Sequence, residues 1–262
     1  MQTPTDAADK TRPPLSDRAF VLATDLDGTF LGGSEEARRR LYDWIEANRD
    51  SVGLIFVTGR DPKFIADLCA SGVPWPEYAV GDVGTTIAKV SPEAGVEPIE
   101  ALEEEIAAAW GDGGARVRDA LDGHPGLTVQ DTAFRYRVSY DYAPDSFDES
   151  AKDKVGQMGF DWLISDDRYF DVLPKGISKG PSIRRLVAHL GIDEGRVLVA
   201  GDTLNDLSML ECGLPAVAVG GAEAALVERV RNLPHVHLAD AVGAAGITEA
   251  IAAKRLHPET GG

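Results

Sequence analysis

Five short apolar runs, each ending at a polar or glycine-containing turn, alternate with helical patterns along most of this chain. The runs are FVLAT (20–24), GLIFVTGR (53–60), YAVGDVG (78–84), RVLVAGD (196–202) and AVAVGG (216–221). Runs of this kind are typical of parallel strands buried on both faces. Their alternation with helices predicts an α/β fold with a doubly wound, Rossmann-like parallel sheet. Ligands of such sheets bind beyond the carboxyl ends of the strands, where these polar turns lie.

Residues at the ends of the helical patterns support this interpretation. The first pattern begins at Ser34, a good N-cap, and continues with two acidic residues. Two later patterns have Pro62 and Pro181 near their starts, and they end at Gly72 and Gly191. Proline in the first turn and glycine after the last turn are typical helix boundaries.

The middle of the chain interrupts the alternation. It contains two helical patterns, followed by strand-like segments at 134–142, 161–165 and 168–174 around a further helix. We therefore predict a small α+β domain, residues 88–173, inserted into a core domain made of residues 19–87 and 174–255. Residues 1–18 and 256–262 are predicted to be flexible tails, because the first of them is polar and contains prolines.

Charge and composition exclude several classes of function. The 262 residues carry a net charge of −17, which argues against binding to nucleic acid or to an anionic lipid surface. The first 18 residues lack the apolar region of a signal peptide, and no run approaches the roughly 18 apolar residues of a membrane span. Two isolated cysteines show no disulfide or zinc-binding pattern. We predict a cytoplasmic protein and make no prediction of its oligomeric state.

Four aspartates at strand ends point to a metal site. Asp25 and Asp27 directly follow the first strand, where residues i and i+2 share a face. Asp202 and Asp206 follow a later strand, so parallel pairing would bring all four carboxylates together. At about 4 Å and an effective dielectric constant near 20, each like-charge contact costs about 4 kcal/mol. A Mg²⁺ ion would relieve this repulsion, and a proton shared between carboxylates is the alternative.

The same cluster could perform phosphoryl transfer. A carboxylate beside Mg²⁺ can attack phosphorus, and a second carboxylate can act as general acid and base. Thr58 offers a hydroxyl at a strand end, and Lys179 offers a cation just before a helix, where the helix dipole opposes it. Structural explanations also exist: Asp206 stabilises a helix start, Thr58 ends a strand, and Lys179 is solvated.

The segments DLDGT (25–29), VTGR (57–60), SKG (178–180) and GDTLND (201–206) resemble the haloacid dehalogenase (HAD) superfamily of phosphohydrolases. The resemblance implies that Asp25 is the nucleophile and Asp27 the general acid/base. It implies Mg²⁺ bound by the Asp25 and Asp202 carboxylates and the Asp27 carbonyl, with Asp206 in support. The inserted domain resembles the C2 cap of this superfamily. The residues implied in phosphate binding are Thr58, Gly59, Lys179 and Asn205.

Within the superfamily, VGDVGTTI (80–87), YRVSYDY (136–142) and FDVLPKGISKG (170–180) are most similar to the sucrose-phosphate phosphatase branch. The resemblance implies cap contacts from Arg137 and Asp171 to a sugar. Arg137 stands where that branch has lysine, and Gly28 where it usually has asparagine. Mannosylfructose phosphate, glucosylglycerol phosphate or a broad range of sugar phosphates therefore remain alternatives to sucrose phosphate.

Three other functions stay open at the level of sequence. A receiver-like signalling module also gathers acidic residues, a threonine and a lysine around Mg²⁺, but such modules lack a cap. A sugar-phosphate binder without activity would not need both Asp25 and Asp27. A phosphomutase would use the same residues as a phosphatase while keeping its phosphoryl group from water.

Overall fold

Two sheets organise the protein, which is described here as a computed structural model for residues 12–165 and 167–258. The strands of that part of the chain are β1 (Phe20–Thr24), β2 (Val52–Val57), β3 (Tyr78–Gly81), β4 (Thr86–Ser91), β5 (Gly95–Pro98), β6 (Leu127–Val129), β7 (Val138–Tyr142), β8 (Phe160–Ser165), β9 (Tyr169–Pro174), β10 (Val197–Gly201), β11 (Ala216–Gly220) and β12 (Val236–Val242). Its α-helices are α1 (Glu35–Ala47), α2 (Ile65–Ala70), α3 (Glu100–Trp110), α4 (Gly113–Ala120), α5 (Ser150–Gln157), α6 (Lys179–His189), α7 (Leu207–Leu210), α8 (Ala224–Val230) and α9 (Ala244–Ala253).

The larger sheet has the strand order β12-β11-β10-β1-β2-β3-β4-β5. Strands β12 to β3 pair in parallel, and β4 and β5 add an antiparallel extension at one edge. Side chains of β1 alternate between two apolar clusters, one against α6 to α8 and the other against α1, α2 and α9. Helices therefore cover both faces, which confirms the predicted doubly wound α/β core.

Strands β1 and β10 are neighbours at the centre of the larger sheet, with Thr24 paired to Ala200. Strand β1 lies near the start of the sequence and β10 lies in its last third. The two strands run parallel. Consequently the DLDGT and GDTLND segments emerge side by side at the carboxyl edge of the sheet. This arrangement positions the functional site.

The smaller sheet, with strand order β6-β7-β9-β8, is antiparallel throughout. One of its faces packs in an apolar cluster with Trp110, Val117 and Val155 from α3, α4 and α5. This is the predicted inserted α+β domain, and we refer to residues 99–174 as the cap. Because helices cover only one face, the other face is left for contact with the core.

The predicted start of the inserted domain is wrong, and one predicted strand is too long. Strands β4 and β5 belong to the core sheet, so the cap does not begin at residue 88. A strand hairpin is visible from sequence, but the sheet it joins depends on tertiary pairing. The predicted strand 134–142 is also shorter, since β7 begins at Val138.

The predicted tails are partly packed. Leu15 and Arg18 are buried, and Arg18 forms an ion pair with Glu77 at 2.5 Å. At the other end, the buried His257 ring lies edge-on against Trp44. Residues 12–18 and 256–258 therefore belong to the core domain, whereas residues 1–11 and 259–262 of the predicted tails lie outside the described residues. Within the described ranges, no helix has the length and apolar character needed to cross a membrane.

Candidate active site

Asp25 and Asp27 are presented by a turn rather than by one face of a strand. Strand β1 ends at Thr24, and residues 25–31 then form a tight turn in which Gly28 has a φ of +80°. Asp25 is buried, while the Asp27 side chain is 69% exposed. The prediction from strand alternation is therefore wrong in its reason, although both aspartates line one cleft.

Three carboxylates, not four, form the acidic cluster. Oxygens of Asp25, Asp202 and Asp206 lie within 4.8 Å of one another. The Asp27 carboxylate lies outside this group and faces Arg60, with 3.6 Å between Oδ2 and Nη1. The turn separates the two aspartates because only Asp25 is directed into the gap between β1 and β10. The Asp27 side chain therefore lies at the open cleft, outside the acidic cluster.

Lys179 neutralises part of this cluster. Its Nζ donates to Asp25 Oδ1 at 2.7 Å, to Asp206 Oδ1 at 2.6 Å and to Asn205 Oδ1 at 2.7 Å. Burial of the ammonium lowers its pKa, but the charges of Asp206 and Asp25 outweigh this and raise the pKa above its ordinary value. Lys179 is therefore a permanent cation, and its place at the start of α6 is explained by its carboxylate partners.

The positive charge of Lys179 does not fully compensate the carboxylates of Asp25 and Asp202. Burial, followed by the charge of Asp206, raises the pKa of Asp25 well above its ordinary value. Burial raises the pKa of Asp202 to about 6, although a hydrogen bond from Thr29 opposes the rise. Each ionised carboxylate here is thus more costly than in water. Closely spaced carboxylate oxygens with excess negative charge fit a hard divalent cation such as Mg²⁺.

The turn after β10 fixes Asp206 through its second oxygen. Asp206 Oδ2 accepts hydrogen bonds from the backbone N–H groups of Asp202 at 3.0 Å and Thr203 at 3.1 Å. Because Oδ1 accepts from Lys179, both oxygens of Asp206 are engaged within the protein. Asp206 therefore holds the turn and Lys179 in place, while Asp25 and Asp202 are better placed to bind a cation directly.

The predicted phosphate-binding residues surround the same opening. Thr58 is buried at the end of β2, where its Oγ1 accepts from the Arg60 N–H at 3.1 Å. Thr58, Gly59 and Asn205 line the cleft with Asp25 and Asp27. A hydroxyl, backbone groups and an amide thus converge beside the acidic cluster, as a phosphoryl group requires.

The cleft lies between core and cap and has a volume of about 610 Å³. The cap contributes the face of its sheet that is not covered by helices. Because strand residues alternate, apolar side chains such as Val138 and Phe170 face the helices, and polar ones face the cleft. The cap residues that line the cleft are Gln130, Phe134, Arg137, Ser139, Ser165, Tyr169 and Asp171.

Arg137 and Asp171, the two cap residues predicted to contact a sugar, lie together in this wall. Arg137 Nη1 donates to Asp171 Oδ1 at 3.3 Å, and Ser139 Oγ donates to the same oxygen. Burial raises the pKa of Asp171, and the Arg137 charge counteracts it. Arg137 also donates to the Gly59 carbonyl at 3.1 Å, so it joins the cap to the core.

The sequence interpretation missed four residues that support the site. Thr29 donates to Asp202 Oδ1 at 2.6 Å, and Arg60 pairs with Asp27; both lie within the recognised motifs and could have been included. Ser139 is the direct cross-strand partner of Asp171 in β7 and β9, a pairing that needs the sheet register. Asp82, 3.8 Å from Arg137, had no sequence signal because the contact joins two domains.

The doubly wound core, the inserted cap and the acidic cleft between them are the architecture of a capped member of the HAD superfamily. Residues 18–253 match the family described as sucrose-6F-phosphate phosphohydrolase, and the chain belongs to that family. A mannosylfructose-phosphate phosphatase from Agrobacterium fabrum is 29% identical over 252 residues, covering 91% of this chain and 98% of that protein.

Two further similarities concern a longer protein and a solved structure. A glucosylglycerol-phosphate synthase from Pseudomonas anguilliseptica is 38% identical over 233 residues; this is 88% of the present chain, which spans only 30% of that relative's length. The sucrose-phosphatase from Synechocystis, solved with sucrose and phosphate, superposes with a TM-score of 0.79 at 24% identity and covers 91% of this chain and 98% of its own. The structural likeness supports the fold described above.

Proposed function

We propose that the protein is a Mg²⁺-dependent phosphatase that hydrolyses a sugar phosphate through a phosphorylated Asp25. The observation that supports this most directly is the cleft itself. Asp25, Asp27 and Thr58 line the core side of the cleft, and the polar face of the cap sheet lines the opposite side. A phosphoryl group bound at the core would therefore place its leaving group against the cap.

The reaction uses Asp25 and Asp27 in two steps. An Asp25 carboxylate oxygen attacks phosphorus, the bond from phosphorus to the sugar oxygen breaks, and Asp27 gives that oxygen a proton. Asp27 then takes a proton from water, whose oxygen attacks the phosphorus of the aspartyl-phosphate. Phosphate leaves and Asp25 is restored. The exposed position of Asp27 suits both steps, since it must meet the leaving group and then water.

Lys179, Thr58 and Asn205 keep the reacting groups in place. Lys179 donates a hydrogen bond to Asp25 and opposes the effect of burial, which raises the pKa of that carboxyl. The residues that would bind Mg²⁺ are Asp25 and Asp202, with the Asp27 carbonyl, while Asp206 supports them. When bound, the ion supplies positive charge that offsets the charge on the phosphoryl oxygens. Thr58, Gly59 and Asn205 provide further hydrogen bonds to those oxygens.

The cap indicates a polyhydroxylated leaving group larger than a small alcohol. A cleft of about 610 Å³ lined by hydroxyl, amide and carboxylate groups suits a disaccharide or glycoside. Sucrose phosphate follows from the family, and mannosylfructose phosphate and glucosylglycerol phosphate follow from the names of the two relatives. These three compounds form the first substrate set to test.

A phosphate-release screen over sugar phosphates, with and without Mg²⁺, tests the proposal. We expect rapid release from at least one glycoside phosphate, loss of release with EDTA, and recovery when Mg²⁺ is added. Transfer of phosphate to a second sugar hydroxyl without release would show a phosphomutase instead. An aspartyl-phosphate that persists for minutes would show a receiver-like module.

Asp25→Asn should lower phosphate release by about 10³-fold or more, because the amide is a poor nucleophile. The variant should keep its circular dichroism spectrum and bind a glycoside phosphate without turning it over. Asp145→Asn, at an exposed cap position, is a matched control that should retain full activity. Turnover near that of the unmodified protein would contradict the assignment of Asp25.

A further inference from the structure

Asp82 forms the core side of a charged contact with the cap. The Arg137 guanidinium lies between Asp171 of the cap, the Gly59 carbonyl of the core and Asp82 of the core. The guanidinium also stacks on the Phe134 ring, with Arg137 Cζ 3.5 Å from the ring centroid. Arg137, Asp171 and Asp82 are all buried. A buried charge cluster of this kind is costly unless its groups are paired, so its geometry is tightly constrained.

The backbone holds Asp82 in an unfavourable conformation. Asp82 has a φ of +52° and Val83 a φ of +59°, and the left-handed region is particularly unfavourable for a β-branched residue such as valine. Thr86 donates to Asp82 Oδ2 at 2.6 Å, and Ser182 donates to the Gly84 carbonyl at 2.7 Å, which holds the turn against α6. Such strain is retained where the surrounding structure fixes the turn, as it does here.

One oxygen of Asp82 is left for Arg137 alone. Among the described residues, Asp82 Oδ1 and Arg137 Nε make no hydrogen bond, although both atoms are buried. Asp82 Oδ1 and Arg137 Nη2 form an ion pair at 3.8 Å. A shift of less than about 1 Å would bring these two atoms within hydrogen-bond distance. Closer approach of the cap would therefore give Asp82 Oδ1 the hydrogen bond that it lacks.

The guanidinium of Arg137 can make all of these contacts at once. A guanidinium is planar and has five N–H donors, so it can reach Asp171, Gly59 and Asp82 in different directions while stacking on Phe134. A single ammonium cannot reach all three in this arrangement. Arg137 is thus the side chain through which the cap contacts Gly59 and Asp82 of the core.

We propose that Asp82 is a positioning residue that acts through Arg137 to hold the polar face of the cap over the phosphate site. The inference rests on the proposed sugar-phosphatase function and deepens it. Asp82 itself lies outside the residues that line the catalytic cleft. Its effect should therefore be large for substrates whose leaving group engages the cap and small for a compact aryl phosphate.

Asp82→Asn tests the proposal because it removes the charge and keeps the size of the side chain. We expect kcat/KM for the preferred sugar phosphate to fall about 10-fold, mainly through KM, with less than about 2-fold change for an aryl phosphate. Equal losses on both substrates, or no loss on either, would overturn the proposal. Glu77→Gln is the matched control, since Glu77 also pairs with buried arginines but lies in the core, with no cap contact among its described bonds.

A double-variant comparison shows whether Asp82 acts through Arg137. In an Arg137→Ala background, Asp82→Asn should have no further effect on the ratio of kcat/KM values for the two substrates. Arg137→Lys should recover only part of the loss caused by Arg137→Ala. Additive effects of Asp82→Asn and Arg137→Ala would contradict the proposed route.

A direct measure of cap position separates this proposal from the proposed function. Spin labels at Arg39→Cys in the core and Asp145→Cys in the cap, in a Cys212→Ser background, report the distance between the domains. Asp82→Asn should broaden this distribution toward longer distances without any substrate, whereas Glu77→Gln should not. An unchanged distance distribution would overturn the positioning role even if the protein hydrolyses sugar phosphates. A changed distribution would support that role even if the protein does not hydrolyse them.

Discussion

At the scale of single residues, Lys179 is the side chain on which the site most depends. It is fully buried and holds Asp25, Asn205 and Asp206 by hydrogen bonds of 2.6–2.7 Å. Removal of one partner from a buried ion pair leaves an uncompensated charge, which costs about 3–5 kcal/mol. Lys179 therefore stabilises both the fold and the arrangement of the acidic cluster.

Lys179→Met should lower the free energy of unfolding by about 3–5 kcal/mol at neutral pH and abolish phosphate release. The physical reason is that Asp25 and Asp206 would lose their shared cation in a buried site. Chemical denaturation monitored by circular dichroism measures the change. Lys175→Met, at a lysine whose side chain is 74% exposed and pairs with Asp161, should change stability by less than about 1 kcal/mol. Similar losses in the two variants would contradict the central role of Lys179.

The raised pKa of Asp202 gives a pH dependence that can be measured without metal. Because its pKa of about 6 in the folded protein exceeds the ordinary value of 3.8, the folded state binds a proton more tightly than the unfolded state. Metal-free protein should therefore become more stable as pH falls from about 7 toward 4. Asp202 is partly exposed, so we expect a rise in Tm of only about 2–4 °C. Asp202→Asn should remove this part of the pH dependence, and an unaltered profile would show that other groups cause it.

At the scale of elements, the turn after β1 decides the shape of the site. Gly28 lies at φ +80°, and a Cβ at this residue would stand 2.1 Å from Asp202 Oδ2. The turn and the Asp202 side chain can therefore approach so closely only because residue 28 is glycine.

Gly28→Ala should lower apparent Mg²⁺ affinity and kcat/KM about 10-fold or more, because Asp202 must move away from the cluster. Titration of activity with Mg²⁺ measures the change. Gly191→Ala is the matched control, since Gly191 has φ +66° and a Cβ there would meet nothing within 4 Å. Both variants should lose about 1 kcal/mol of stability through backbone strain, but only Gly28→Ala should weaken Mg²⁺ binding. Equal Mg²⁺ affinities would contradict the steric explanation.

At the scale of the whole molecule, the proposed cation site joins segments that are far apart in sequence. Asp25 follows β1 near the start of the chain, and Asp202 follows β10 near its end. These strands are neighbours in the sheet, so an ion bound by both turns links the two halves of the core. Binding should therefore stabilise the global fold and not only the site.

Mg²⁺ at about 100 times its dissociation constant should raise the free energy of unfolding by about 2.7 kcal/mol. The gain arises because the unfolded chain does not bring Asp25 and Asp202 together. Thermal melts of the protein with Mg²⁺ and with EDTA measure it. Asp202→Asn should abolish the gain, whereas Asp240→Asn, at an exposed position in β12, should retain it. A gain that survives Asp202→Asn would mean that Mg²⁺ binds elsewhere.

Local patterns in the sequence were enough to predict the core fold and most of the core site. Parallel strands buried on both faces must be apolar throughout, so β1, β2 and β10 are visible as short apolar runs. Chain direction then brings their carboxyl ends together, which accounts for Asp25, Thr58 and Asp202. The resemblance of the motifs to the HAD superfamily implied which aspartate is the nucleophile and which residues bind Mg²⁺, and these roles stay predictions.

Tertiary structure alone decided which contacts cross between elements. The sequence predicted four converging carboxylates, but the turn after β1 directs only Asp25 inward and leaves Asp27 with Arg60. The sequence also did not show that β4 and β5 extend the core sheet, or that Asp82 contacts Arg137. Such contacts depend on pairing partners and on the position of the cap over the core. Neither is encoded in the spacing of nearby residues, because each follows from the packing of segments that lie far apart in the chain.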